Sequence, residues 1–127
     1  MGYTNYWYQH RSFTDSEWKE IKSYFVHRYC NTLYEGRVDL ETEITEDLIA
    51  FNGKGIEACE SFILTKNLNK EPSRDGFKHF NCCKTRVYPY DKVVWKLLKF
   101  IKFVVLDPNN PNDKSFQISN DNGDRYE

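Results

Sequence analysis

The dipeptide Asn52-Gly53 stands between two apolar runs, Leu48 to Phe51 and Cys59 to Thr65. Both of its residues tolerate positive φ, so this pattern is the strongest short-range signature of a β-hairpin, and Gly55 loosens the turn further. The two runs are thereby expected to be antiparallel neighbours. An all-parallel wound sheet needs a crossover helix between its middle strands, and an Asn-Gly turn offers only a hairpin.

The other segments complete an α+β pattern. Tyr3 to Gln9 is rich in aromatics, Thr and Asn, which predicts a first strand. Thr14-Asp15-Ser16-Glu17 is a capping box, and Trp18, Ile21, Phe25 and Tyr29 then follow three- and four-residue steps along one helical face. Arg37 to Asp47 alternates charge with Val38, Leu40 and Ile44 and supports at most a short strand in an acidic connection. Lys66 to Gly76 reads as a loop and Phe77 to Thr85 as a further strand. Pro89 and Asp91 suit the first turn of a second helix, whose stripe is Val94, Leu97, Leu98, Ile101 and Val105, with Lys96, Lys99 and Lys102 on the remaining surface. Asp107-Pro108 stops that helix, Ser115 to Ser119 makes a last short strand, and 120–127 is expected to be a mobile polar tail. The expectation is a single α+β domain over 1–119, a two-layer sandwich in which two helices cover a mostly antiparallel sheet.

A length of 127 residues with 39% hydrophobic and 17% aromatic side chains is enough for a core without disulfide or metal staples. Eighteen basic against nineteen acidic residues leave a net charge of −1, which argues against a nucleic-acid partner. The N-terminus has neither the basic nor the apolar region of a secretory signal, and Val93 to Leu106 is broken by three lysines, so a cytoplasmic chain without a membrane partner is expected. Adjacent Cys82 and Cys83 point to opposite sides of an extended segment, so Cys30, Cys59, Cys82 and Cys83 are expected to be reduced thiols. A zinc site recruiting His79 with Cys82 or Cys83 matches no usual ligand spacing, and neither metal nor cofactor is expected.

The densest polar constellation is Cys83-Lys84-Thr85-Arg86, just before the second helix. Two cations beside unpaired helix amides suit a phosphate or carboxylate, although no glycine lets the backbone wrap an anion as in a phosphate loop. The plainer reading is an exposed cationic strand end. Asn52 is a further candidate hydrogen-bonding group, Tyr6, Trp7 and Tyr90 are candidate apolar walls, and Glu60 and Asp91 are candidate acceptors or bases. No catalytic triad, metal set or phosphate loop is complete. Cys83 beside Lys84 has as its base reading a buried, inert thiol.

Three blocks carry a resemblance: Met1-Gly2-Tyr3-Thr4 with Tyr6-Trp7; Phe51-Asn52-Gly53 with Gly55, Glu60 and Phe62; and Cys83-Lys84-Thr85 with Pro89-Tyr90-Asp91. In that order they resemble a family of small proteins from bacteria, phages and some large DNA viruses. Its members often carry His where this chain has Asn5 and Cys59, and a basic residue where it has Val87 and Tyr88. The resemblance brings no activity; it implies a host-cytoplasmic or virion location for a viral member. The leading expectation is a domain that binds a small anionic, nucleotide-like molecule. A protein-interaction or structural component, self-associating or virion-associated, is the alternative, and a small hydrolase or transferase is the third.

Overall fold

The computed structural model describes residues 3–30, 42–68 and 80–121. Parts of four expectations fall outside them: the strand residues 37–41, the loop residues 69–76, the strand residues 77–79, and the tail residues 122–127.

Strand β1 (Thr4–Gln9) is the centre of the first sheet, ordered β5-β1-β6, with β5 at Phe80–Lys84 and β6 at Phe116–Asn120, both antiparallel to it. The second sheet is ordered β2-β3-β4, formed by Glu43–Ile44, Leu48–Phe51 and Phe62–Thr65, again antiparallel throughout. Helices α1 (Asp15–Phe25) and α2 (Tyr90–Val105) pack against each other and against these sheets in an α+β arrangement. The antiparallel pairing is as expected from sequence, but the strands divide into two sheets of three.

Side-chain alternation gives the first sheet one buried face. On β1, residues Asn5, Trp7 and Gln9 are buried while Thr4, Tyr6 and Tyr8 are half-exposed. Trp7 packs on Phe62 of β4 with ring centroids 4.9 Å apart, Phe62 on Phe51 at 5.0 Å, and Phe51 on Phe25 of α1 at 4.9 Å. One aromatic chain thus joins both sheets to a helix, at separations where such rings attract beyond their burial.

The α1 capping box is complete. Glu17 N–H donates to Thr14 Oγ1 (3.1 Å) and Thr14 N–H to Glu17 Oε1 (2.9 Å). Arg11 grips both Glu17 oxygens at 2.8 and 2.9 Å, which holds that carboxyl below its ordinary range. A single π-helical turn, Val26–Cys30, continues α1. All five stripe residues expected for α2 are buried, together with Val93 and Trp95. No helix among the described residues is long and apolar enough to cross a membrane.

Two local expectations are corrected. The tight Asn52-Gly53 turn does not form: β3 and β4 pair in the register Phe51↔Phe62, so residues 52–61 make a long connection containing the 3₁₀ turn Gly55–Glu57. Among the described glycines it is Gly55, at φ 60°, that takes the left-handed conformation. The tail also begins later than expected. Asn120 ends β6, and the Asp121 carboxylate accepts from Thr4 N–H at 2.9 Å and Tyr6 O–H at 3.0 Å.

Candidate functional site

The turn between β5 and α2 gathers most of the residues singled out in the sequence. Thr85 N–H donates to the Tyr3 carbonyl at 2.9 Å, so the strand pairing with β1 continues one residue past β5. Tyr88 N–H then donates to the Thr85 carbonyl at 3.1 Å across Arg86 (φ 56°) and Val87 (φ 61°). Two consecutive left-handed residues inside such a bond make a type I′ turn, normally built from Asn and Gly. For non-glycine residues that conformation costs ~1–2 kcal/mol each, and for a β-branched side chain it is an outlier.

Both ends of the turn are pinned, which keeps the strain in place. Thr85 O–H donates to Asp91 Oδ1 at 2.6 Å, and Asn5 Nδ2 donates to the same oxygen at 2.8 Å. Asn5, Thr85 and Asp91 are each 0% exposed. The Asp91 carboxylate sits in the first turn of α2, where the helix dipole favours negative charge. Replacing Val87 with asparagine, which tolerates the left-handed region, is expected to raise stability by about 1 kcal/mol in urea denaturation. A fall instead of a rise would show that contacts of the Val87 side chain outweigh the strain.

Glu60, Lys84 and Tyr90 form a second cluster. Glu60 N–H donates to the Lys84 carbonyl (3.0 Å), and Lys84 N–H returns a 2.6 Å bond to Glu60 Oε1. The buried Tyr90 O–H lies 2.7 Å from the Glu60 carbonyl and 3.2 Å from that of Lys84. Burial, with the neighbouring Cys83, pushes the Tyr90 phenol well up. Glu60 thus covers the outer edge of β5 at Lys84. Asn52 closes the long connection: its Oδ1 accepts from Gly53 N–H (2.7 Å) and Cys59 N–H (3.0 Å), while Nδ2 donates to the Cys59 carbonyl (3.0 Å).

The structure therefore groups Thr85 with Asp91, and Glu60 with Lys84 and Tyr90, around one turn. Lys84 and Arg86 are exposed; Thr85, Tyr90 and Asp91 are buried. Trp7 lies in the core, and Tyr6 faces the other side of β1, stacked near Phe80 at 5.9 Å. Asn5, the third member of the buried network, was missed, although an Asn alternating with Tyr3 and Trp7 along a strand marks an inward polar group. Cys83 is buried and burial pushes its thiol up, whereas Cys82 is exposed; the described cysteines, Cys59 among them, are free thiols. Among the described residues no group of three His, Cys, Asp or Glu side chains is placed to hold a metal ion. His79 of the zinc reading lies outside the described residues.

A groove of about 570 Å³ lies elsewhere, between α2 and β6. Trp95, Lys99, Lys102, Phe103 and Leu106 line one wall and Ile118, Ser119 and Asn120 the other. The helical wall follows steps of four, three, one and three residues, which place all five side chains on one face. Among the described residues no carboxylate lines the groove. A second groove of about 600 Å³ runs between the helices beside Tyr24, His27, Arg28 and Phe100, and Phe103 is shared by both. The volume of the first suits a ligand site, for which about 300–1,000 Å³ is usual. Sequence periodicity assigned Lys99 and Lys102 only to the solvated face of α2, because nothing in the chain says that β6 docks beside them. A scan against protein-family models, a search of curated proteins and a search of solved structures return no match, so the functional reading rests on this geometry.

Proposed function

We propose that this domain binds an anionic ligand carrying an apolar body, in the groove between α2 and β6. The observation that carries the reading is the helical stripe on which Lys99 and Lys102 lie between Trp95 at one end and Phe103 and Leu106 at the other. Ammonium groups at the rim of an apolar trough attract and orient an anion, and the trough receives the remainder. The turn at Lys84 and Arg86 supplies exposed cations, but its hydroxyl is committed to Asp91 and its aromatic Tyr90 is buried. It serves as the comparison site.

The test is a thermal-shift screen against nucleotides, cyclic dinucleotides, sugar phosphates and short acidic peptides. The double variant Lys99→Ala/Lys102→Ala and the double variant Lys84→Ala/Arg86→Ala are run beside the parent chain. A ligand at a hundred times its dissociation constant adds about 2.7 kcal/mol, roughly 10 °C for a domain of this size. The expected result is a shift abolished by the first double variant and kept by the second. The reverse pattern moves the site to the β5–α2 turn, and no shift from any probe overturns the reading.

An interaction role has one specific observation in its favour. Phe103 is 76% exposed between the two grooves, where an aromatic side chain is a common anchor of protein contacts. Self-association in light scattering that Phe103→Ser removes would support a second copy as the occupant.

A further inference from the structure

We propose that the 52–61 connection and the β5–α2 turn together form a docking surface for a membrane of anionic phospholipid. Ile56 and Val87 enter its interface while Lys54, Lys84 and Arg86 meet the headgroups. The two loops are built as neighbours. Glu60 bonds both polar backbone groups of Lys84, at 3.0 and 2.6 Å, and Gly53 lies so close to Tyr90 that a Cβ there would be 2.6 Å from Cδ1 of the ring. Each loop is also tied at its base, the first by the clasp of Asn52 on Cys59 and the second by the bond from Thr85 to Asp91.

These tied bases hold apolar side chains out to solvent. Ile56, in the 3₁₀ turn that Gly55 opens at φ 60°, is 95% exposed, more than any other large hydrophobic residue described. Val87 is 43% exposed at φ 61°. A single exposed apolar residue is ordinary. Val87 is not, because asparagine or glycine would occupy its place in the turn without strain, and the valine gains only partial burial in return. Backbone strain of this kind is held at sites of recognition.

Charge selects the occupant. Lys54 precedes Gly55 and Ile56, Lys84 and Arg86 flank the buried Thr85, and all three cations are exposed. The carboxylates of the same two loops are Glu57 and Glu60, and Glu60 turns one oxygen to Lys84 N–H. Cations beside projecting apolar side chains match an interface with anionic headgroups over an apolar phase, where each Lys or Arg near the surface strengthens binding about fivefold. A protein partner is the poorer match, since such contacts are anchored chiefly by Trp, Tyr and Arg in shaped pockets and use Val sparingly. The expectation against a membrane partner rested on the lack of a span and of a secretory signal, and a surface contact requires neither.

Cosedimentation tests this with vesicles of phosphatidylcholine alone and of phosphatidylcholine mixed with phosphatidylserine. The parent chain is expected to sediment with the mixed vesicles and to stay in solution with the neutral ones. Lys84→Ala/Arg86→Ala is expected to weaken binding at least tenfold, and Ile56→Ser about tenfold with unchanged stability in urea, because Ile56 makes so little contact with the fold. Val87→Asn separates docking from folding: it is expected to bind about fivefold more weakly while unfolding at higher urea than the parent. Failure of the parent chain to bind the mixed vesicles overturns the proposal and leaves the two tips to a protein partner. Binding that Ile56→Ser and Val87→Asn both leave intact also overturns it, because charge alone would then hold the chain to the surface.

Discussion

Replacing Gly53 with alanine is expected to lower the stability of the fold by about 3 kcal/mol, roughly 10 °C in thermal midpoint. The reason is space, since Gly53 is not among the residues of positive φ. A Cβ at this position would lie 2.0 Å from the Glu57 carbonyl oxygen and 2.6 Å from Cδ1 of Tyr90. Neither neighbour yields easily. Glu57 ends the 3₁₀ turn, and two residues beyond it both polar groups of the Cys59 backbone are clasped by Asn52. Tyr90 is fully buried, and its hydroxyl is held between the Glu60 and Lys84 carbonyls. Gly55 provides the contrast. It has open space but φ 60°, so Gly55→Ala is expected to lose only about 1 kcal/mol. Urea denaturation of the two variants gives the ranking, and a Gly53→Ala variant as stable as Gly55→Ala would show that the connection relaxes freely around the added methyl.

The crowding at Gly53 also explains why the Asn52-Gly53 pair misled the reading of the turn while indicating the right pairing. Leu48 to Phe51 and Phe62 to Thr65 do form adjacent antiparallel strands. The dipeptide suits the connection for other reasons: Asn52 mimics a strand neighbour for Cys59, and Gly53 lets Tyr90 approach. Local propensity sees only that both residues tolerate a turn. Capping and periodicity were more legible because they depend on residues three or four apart. Thr14 and Glu17 form both halves of their box, and the stripe from Val94 to Val105 is buried as its spacing implied.

The candidate site was legible only where its chemistry is local. Lys84, Thr85 and Arg86 are contiguous, and the sequence places them before α2. That Thr85 is consumed by Asp91, six residues on, and by the Tyr3 carbonyl depends on β1 lying alongside, a pairing across some eighty residues. The groove is less local still, since its walls come from α2 and from a strand separated from the end of that helix by the ten residues 106–115. An amphipathic helix reads as one buried face and one solvated face, and the boundary between them, where Trp95 meets Lys99, has no distinct periodicity.

Removing the Asp91 carboxylate should cost more than any surface change near it, about 4 kcal/mol for Asp91→Ala, because two buried donors lose one acceptor together. Asn5 Nδ2 and Thr85 O–H both donate to Asp91 Oδ1, at 2.8 and 2.6 Å, with all three side chains shut away from water. An unsatisfied buried donor costs about 1–3 kcal/mol, and losing the charge at the first turn of α2 adds to this. Asn5 has no margin, since its Oδ1 already lacks a hydrogen-bond partner. Asp91→Asn retains an oxygen that can accept from both donors and is expected to lose only about 1–2 kcal/mol. A cycle of Asp91→Ala, Thr85→Val and the double variant, followed by urea denaturation, should return a coupling of about 1–2 kcal/mol, since Thr85→Val removes one of the stranded donors beforehand. The network ties the start of α2 to β1, and β1 carries β6, so it also sets how far along the strand Lys99 and Lys102 stand. Additive single-variant losses would mean that Thr85 and Asp91 act separately, and that packing of the α2 stripe alone positions the helix.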